Sequence, residues 1–168
     1  WEASAIKVHW ATDLVISNNC IRDVVGVSAG CFGIWIDWAA CMTRVTGNVI
    51  YNTNGPTLEM EVTHGPVLVD NNVFIGKGVR SNSEGTVFAH NLFVDCPWHL
   101  RQDLKRASSY YKPHTREEVG RKNGIPADDR WYNNVFVRRG LDTAKVGPDS
   151  VSDYNLYLEG AKPARIEG

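Results

Sequence analysis

Apolar residues along the chain alternate with other residues over short stretches: Ile34, Ile36 and Trp38; Leu58, Met60 and Val62; Val67 and Val69; Val135 and Val137. A period of two places successive side chains on opposite faces of a strand, whereas an amphipathic helix needs apolar positions at i, i+3 and i+4. Enrichment in Val, Ile and Phe supports strands, as do the turn dipeptides Asn54-Gly55 and Gly65-Pro66 between the stretches. Many short strands separated by tight turns are predicted.

A short phrase recurs among them. Asn followed by two apolar residues appears at Asn19, Asn48, Asn72, Asn91, Asn134 and Asn155. The intervals are 29, 24, 19, 43 and 21 residues. Four of them fit one period, and the longest fits one period carrying an insertion. Such self-similarity marks a solenoid. The strand periodicity and the lack of an LxxLxL pattern select an all-β, single-stranded right-handed parallel β-helix of about six coils. The repeated Asn then has a physical role: it tolerates unusual backbone angles at a turn, and its amide can bond the equivalent amide on the next coil, about 4.8 Å away. Residues 1–168 are read as part of a single β-helix domain, a piece of a longer protein. The cationic, aromatic stretch over about 97–130 is an insertion loop that can close over a groove and hold a glycan.

Composition narrows the function. At 43% hydrophobic the chain can bury one core, and a net charge of −1 gives no electrostatic case for nucleic acid or an anionic membrane as partner. Cys20, Cys31, Cys41 and Cys96 lack zinc-like spacing, so Cys20 is expected in the core and the others in turns. No cofactor is expected, and no dense carboxylate cluster demands calcium.

Counting back eleven positions from the repeated Asn gives Asp37, Glu61 and Arg80, which predicts a vertical row on one face. By alternation Trp35, Asp37, Glu59 and Glu61 point outward, with Arg80 and Asn82 beside them and Lys7 and His9 on the first coil. An aromatic ring among acids, a base and an amide suits a sugar. Two carboxylates on neighbouring coils repel if both ionise, which splits their pKa values as general acid catalysis requires. Asp37 is therefore the candidate acid and Glu61 the candidate base or nucleophile, with Arg80 beside it. His64 is a candidate substrate contact or a turn residue, and Tyr110, His114 and Arg130 are candidate contacts from the insertion.

The words "GIWIDW" (Gly33 to Trp38), "TRVTGN" (Thr43 to Asn48), "EVTHGPVLVDNN" (Glu61 to Asn72), "YYKPHT" (Tyr110 to Thr115) and "DDRWYNN" (Asp128 to Asn134) occur in that order. With them, from about Ser4 to Val137, the chain resembles bacterial right-handed parallel β-helix proteins of carbohydrate-degrading systems, similar to glycoside hydrolase family 141. Thr63 and Tyr111 depart from that pattern, which has Asn and His there. The resemblance implies an extracellular or periplasmic location and picks out Trp35, Asp37, Arg44, Glu61, His64, Asp70, His114, Asp128, Asp129 and Arg130. Three functions follow as expectations: a glycoside hydrolase using Asp37 and Glu61; a lyase acting on uronate-containing glycan through His9, Arg80 and His114; or a glycan-binding β-helix without catalysis. The expected partner is a polysaccharide or oligosaccharide, bound by a monomer.

Overall fold

The computed structural model describes residues 3–26, 30–111 and 116–164, and its strands wind into the right-handed parallel β-helix that the repeat predicts. The first coil carries β1 (Ala3–Val8), β2 (Val15–Ser17) and β3 (Cys20–Val24). The second carries β4 (Cys31–Ile36), β5 (Thr43–Thr46) and β6 (Val49–Thr53), and the third β7 (Leu58–Met60), β8 (His64–Asp70) and β9 (Val73–Ile75). The fourth has β10 (Val79–Ser81), β11 (Glu84–Ala89) and β12 (Leu92–Val94). The fifth opens with β13 (Trp98–Leu100), leaves the coil as an antiparallel hairpin of β14 (Asp103–Tyr111) and β15 (Glu118–Gly124), and rejoins through β16 (Arg130–Tyr132) and β17 (Val135–Val137). In the sixth, a single 3-10 turn (Leu141–Thr143) precedes β18 (Val151–Asp153) and β19 (Leu156–Leu158). Equivalent strands stack into three parallel sheets: β1-β4-β7-β10-β13, then β2-β5-β8-β11-β16-β18, then β3-β6-β9-β12-β17-β19.

Among the Ile, Val and Leu of the interior, aromatic rings stack on one another. Phe74, Phe93, Phe136 and Tyr157, at the central positions of the third sheet, stack ring on ring with centroids 5.2, 5.2 and 5.0 Å apart. Phe88 and Trp131 stack likewise from the second sheet at 5.7 Å, and Trp98 of the first sheet fills the angle between the columns. A parallel β-helix brings identical positions to one rung spacing, so a planar ring repeated in sequence becomes a stack in space.

At one corner all six predicted Asn residues form the ladder. Each Asn of a lower coil sends both its side-chain Nδ2 and its backbone N–H to the Oδ1 of the next, at 2.9 to 3.0 Å. The unusual backbone angle, however, belongs to the residue before each rung. Asn18, Gly47, Asn71, His90, Asn133 and Tyr154 all have φ between 50 and 66°. That left-handed residue turns the chain, and the ladder Asn satisfies the amides the turn exposes.

Four expectations are corrected. The insertion expected over about 97–130 begins later, because Trp98–Leu100 still pairs with β10 in the first sheet, and it is a hairpin rather than a loop. Trp38 does not continue the alternation of Ile34 and Ile36: its strand ends before it and its indole turns to the hairpin, and Trp10, which follows β1 in the same way, is 56% exposed. Cys20 is exposed, at the outward first position of β3, while Cys31, Cys41 and Cys96 are buried, all four as free thiols. Arg80 does not stand level with Glu61. It pairs in register with Glu59, because the corner between β10 and β11 and the bulge between Glu84 and Thr86 within β11 are each one residue shorter than on the coil below, so counting back from Asn91 slips by two.

Candidate functional site

The outer face of the first sheet carries two rows of side chains. Lys7, Trp35, Glu59, Arg80 and His99 stand level on successive coils. One step beyond Met60 and Ile36, Asp37 and Glu61 occupy adjacent rungs, where the Glu61 N–H donates to the Ile36 carbonyl at 2.8 Å. Asn82 and Arg101 extend that row past Ser81 and Leu100.

Ion pairs knit the face together. The Lys7 ammonium lies 2.9 Å from the Asp37 carboxylate and 3.7 Å from the centre of the Trp35 ring. Glu59 pairs with Arg80, whose guanidinium also covers Phe32. Glu61 pairs with Arg101 at 3.4 Å and with Arg106, which reaches it from the hairpin. The hairpin is strapped on by the Trp38 indole N–H, which donates to the Ala107 carbonyl at 3.1 Å, and by His64, whose Nε2 lies 3.0 Å from the Lys122 carbonyl. Beneath this cover Asp37 and Glu61 keep only 7% and 6% of their exposure, and Glu59 none. Buried polar atoms remain without a hydrogen-bond partner there: Trp35 Nε1, Glu59 Oε1 and Asn82 Nδ2 on the sheet.

Charge is tuned by burial. Removal from water pushes Glu59 up to about 7, against the pull of Arg80. Glu59 is thus a carboxyl of the covered face whose proton affinity the fold raises. Burial lowers the pKa of His64, so it stands as a neutral imidazole; because its Nε2 meets a carbonyl oxygen, Nε2 carries the proton and the buried Nδ1 is left bare. Burial likewise raises Asp129 well above the carboxylate range, while its Oδ1 accepts the Thr86 N–H at 2.9 Å.

The predicted residues thus separate. Asp37, Glu59, Glu61, Arg80, Trp35 and Asn82 share the covered face, with His9 exposed at its rim. Trp35 is held edge-on by Phe32 and capped by Lys7. His64 is wholly buried and cannot touch a substrate directly. Tyr110 and Arg130 lie elsewhere, lining a cavity of about 320 Å³ beside the second sheet with Gly65, Pro66, Glu84, Gly85, Val87, Tyr111 and Asp128. His114 lies outside the described residues. Arg44 and Asp70 form a two-pronged pair, at 2.9 and 2.7 Å, that bridges β5 and β8. Three participants escaped sequence reading. Arg106 meets Glu61 only because the hairpin folds back, which no local pattern announces, Arg101 meets it from the coil stacked beyond Asn82, and Glu84 is marked only by the glycine that follows it. Among the described residues no group of His, Cys, Asp and Glu is arranged to hold a metal ion.

No protein-family model matches the sequence, and no curated protein matches it. Among solved structures, "The complex structure of XylC with xylose" superimposes with a TM-score of 0.79 at 29% sequence identity, over 95% of this chain. The chain spans 29% of the length of that protein. The fold is thus a parallel β-helix shared with a protein that has been seen with a sugar.

Proposed function

We propose that the chain forms the catalytic face of a glycoside hydrolase, akin to the family 141 proteins its motifs resemble. The observation that carries this reading is the level placement of Asp37 and Glu61 on adjacent rungs of one outer face. Parallel side chains one rung apart are separated by about 4.8 Å at the backbone. Adjacent rungs thus bring both side chains within reach of one glycosidic bond, as a flanking carboxyl pair requires. Glu61, flanked by two guanidinium groups, is the nucleophile that attacks the anomeric carbon. Asp37 hands a proton from the Lys7 ammonium, 2.9 Å away, to the departing glycosidic oxygen, then takes one from the water that cleaves the glycosyl-enzyme ester and frees Glu61, and returns it to Lys7. The likeness to XylC, whose structure holds xylose, supports a sugar as the substrate.

Charge balance favours a neutral sugar over a uronate. Lys7, Arg80, Arg101, Arg106, Lys122 and Arg130 each face a carboxylate already. A lyase needs a cation to neutralise the uronic acid, and here each of these is committed.

The full-length protein incubated with xylan, pectic and fucosylated glycans is expected to release reducing ends without the near-ultraviolet absorbance of an unsaturated uronide. Asp37→Asn and Glu61→Gln are each expected to abolish that release with the fold intact. Wild-type turnover in both variants sinks the carboxyl pair; absorbance rising with reducing ends replaces hydrolysis by elimination.

A further inference from the structure

The hairpin has a second side. Where β14 packs on β8, the cavity of about 320 Å³ opens against the second sheet, its lining free of the row of Asp37 and Glu61. Its floor has no side chains at two positions: Gly65 and Gly85, at φ 111 and 76°. A Cβ on Gly85 would come no nearer than 3.9 Å to the backbone of Gly65, so the open space is not forced by packing. The unusual angles, together with the register shift between Glu84 and Thr86, fix glycine here and leave backbone that a ligand can approach closely.

The wall is aromatic for a reason that alternation would not give. Neighbouring residues on a strand normally point to opposite sides, yet Tyr110 and Tyr111 both line the cavity, because the hairpin register shifts between them. Val87 and Pro66 add apolar surface. The rim carries Glu84, Asp128 and Arg130. Lys122 bonds Glu84 at 2.9 Å and lies 3.7 Å over the Tyr110 ring, and Arg130 pairs with Asp128 at 2.5 Å and donates to the Asp149 carbonyl at 2.6 Å. Every rim charge is matched, while carboxylate lone pairs remain to accept from hydroxyl groups.

We propose that this cavity is a second, non-catalytic subsite for an uncharged pyranosyl unit of the same glycan. An apolar floor and tyrosine rings fit the flat face of a sugar ring, paired carboxylates fit its hydroxyls, and the matched rim discriminates against a uronate. The volume lies at the small end of the roughly 300 to 1,000 Å³ of ligand sites, which suits a mono- or disaccharide unit. The proposal rests on the carbohydrate reading above. Holding a distant unit of the chain turns attack at the carboxyl pair into a tethered event, so the subsite acts on polymers and not on short substrates.

The test uses the full-length protein with two variants, Val87→Phe, which fills the cavity, and Tyr110→Ala, which removes its wall. Expected are an unchanged rate on an aryl β-xyloside and a KM for soluble xylan raised about tenfold, with far-ultraviolet circular dichroism and thermal midpoints as in the wild type. Calorimetric titration of xylohexaose into the Asp37→Asn protein should lose affinity in parallel when either change is added. An unchanged KM for xylan and unchanged xylohexaose affinity in both variants overturn the subsite while leaving hydrolysis standing. Loss of the aryl xyloside rate as well would make the cavity part of the catalytic centre and overturn a separate site. A wild-type protein that neither hydrolyses xylan nor binds xylohexaose overturns both readings.

Discussion

Replacing Glu59 by Gln offers a measurement of what burial does on the covered face. Glu59 has no exposed surface, and one of its oxygens has no hydrogen-bond partner, so its charged form loses hydration that only Arg80 and the more distant Arg101 return. Arg80 keeps 28% of its side chain in water, which screens its pull, and desolvation wins. The carboxyl rises from its ordinary 4.5 to about 7. At about 1.4 kcal/mol for each tenfold change in proton affinity, this corresponds to roughly 3 kcal/mol. The sign follows from linkage: between pH 4.5 and about 7 the folded protein holds a proton that the unfolded chain has lost, so this contribution to stability falls as pH rises through that window. Gln keeps the shape and cannot ionise. Urea denaturation should therefore show the Glu59→Gln protein gaining on the wild type by on the order of 3 kcal/mol between about pH 5 and about pH 8. A difference that stays constant with pH, or that grows in favour of the wild type toward alkali, would refute the reasoning and show that Arg80 outweighs desolvation.

Other outcomes follow from the same contacts. Asn72→Ala removes a rung that accepts from Asn48 and donates to Val45 and Asn91, stranding buried groups at about 1 to 3 kcal/mol each, whereas Asn19→Ala at the end of the ladder strands fewer; equal losses in denaturation midpoint would contradict the ladder's energetic role. His64 has a folded-state pKa below its ordinary 6.5, so its contribution is complete above about pH 6.5 and is lost as pH falls toward the folded value. His64→Gln, which can still donate to the Lys122 carbonyl, should flatten acid destabilisation relative to the wild type, and an unchanged acid limb would count against a buried neutral imidazole. Arg106→Ala frees the hairpin from Glu61, and faster protease cleavage of β14 and β15 in the native protein is the expected result.

The strands and the ladder could be read from sequence because they are recorded locally. One Asn, one turn and one out-in-out triplet repeat in every coil, and stacking adds no further information. The covered face was harder. Asp37 and Glu61 came out level because their two coils have equal corner lengths, but Arg80 slipped to Glu59 once one corner and the bulge in β11 lost a residue each. Trp38 followed the apolar alternation in sequence and yet faces the hairpin, since its strand had already ended. The hairpin was read as a loop because both of its faces meet polar surroundings over much of their length, which erases the alternation that betrays a strand. The pairing of Arg106 with Glu61 spans 45 positions and depends on where that hairpin lands. Adjacent tyrosines lining one cavity require a register shift that no residue type announces.

The ladder counts coils rather than residues. Between Asn72 and Asn91 the chain runs 19 residues, and between Asn91 and Asn134 it runs 43, yet both rungs close at 3.0 Å. An interval that more than doubles leaves the spacing untouched, so length is free to vary between fixed points. A lineage built on such a stack can lengthen a corner into a hairpin, and the hairpin into a wall, without renegotiating the trunk. Novelty accumulates at the margins of the coil while its vertical order is inherited unchanged.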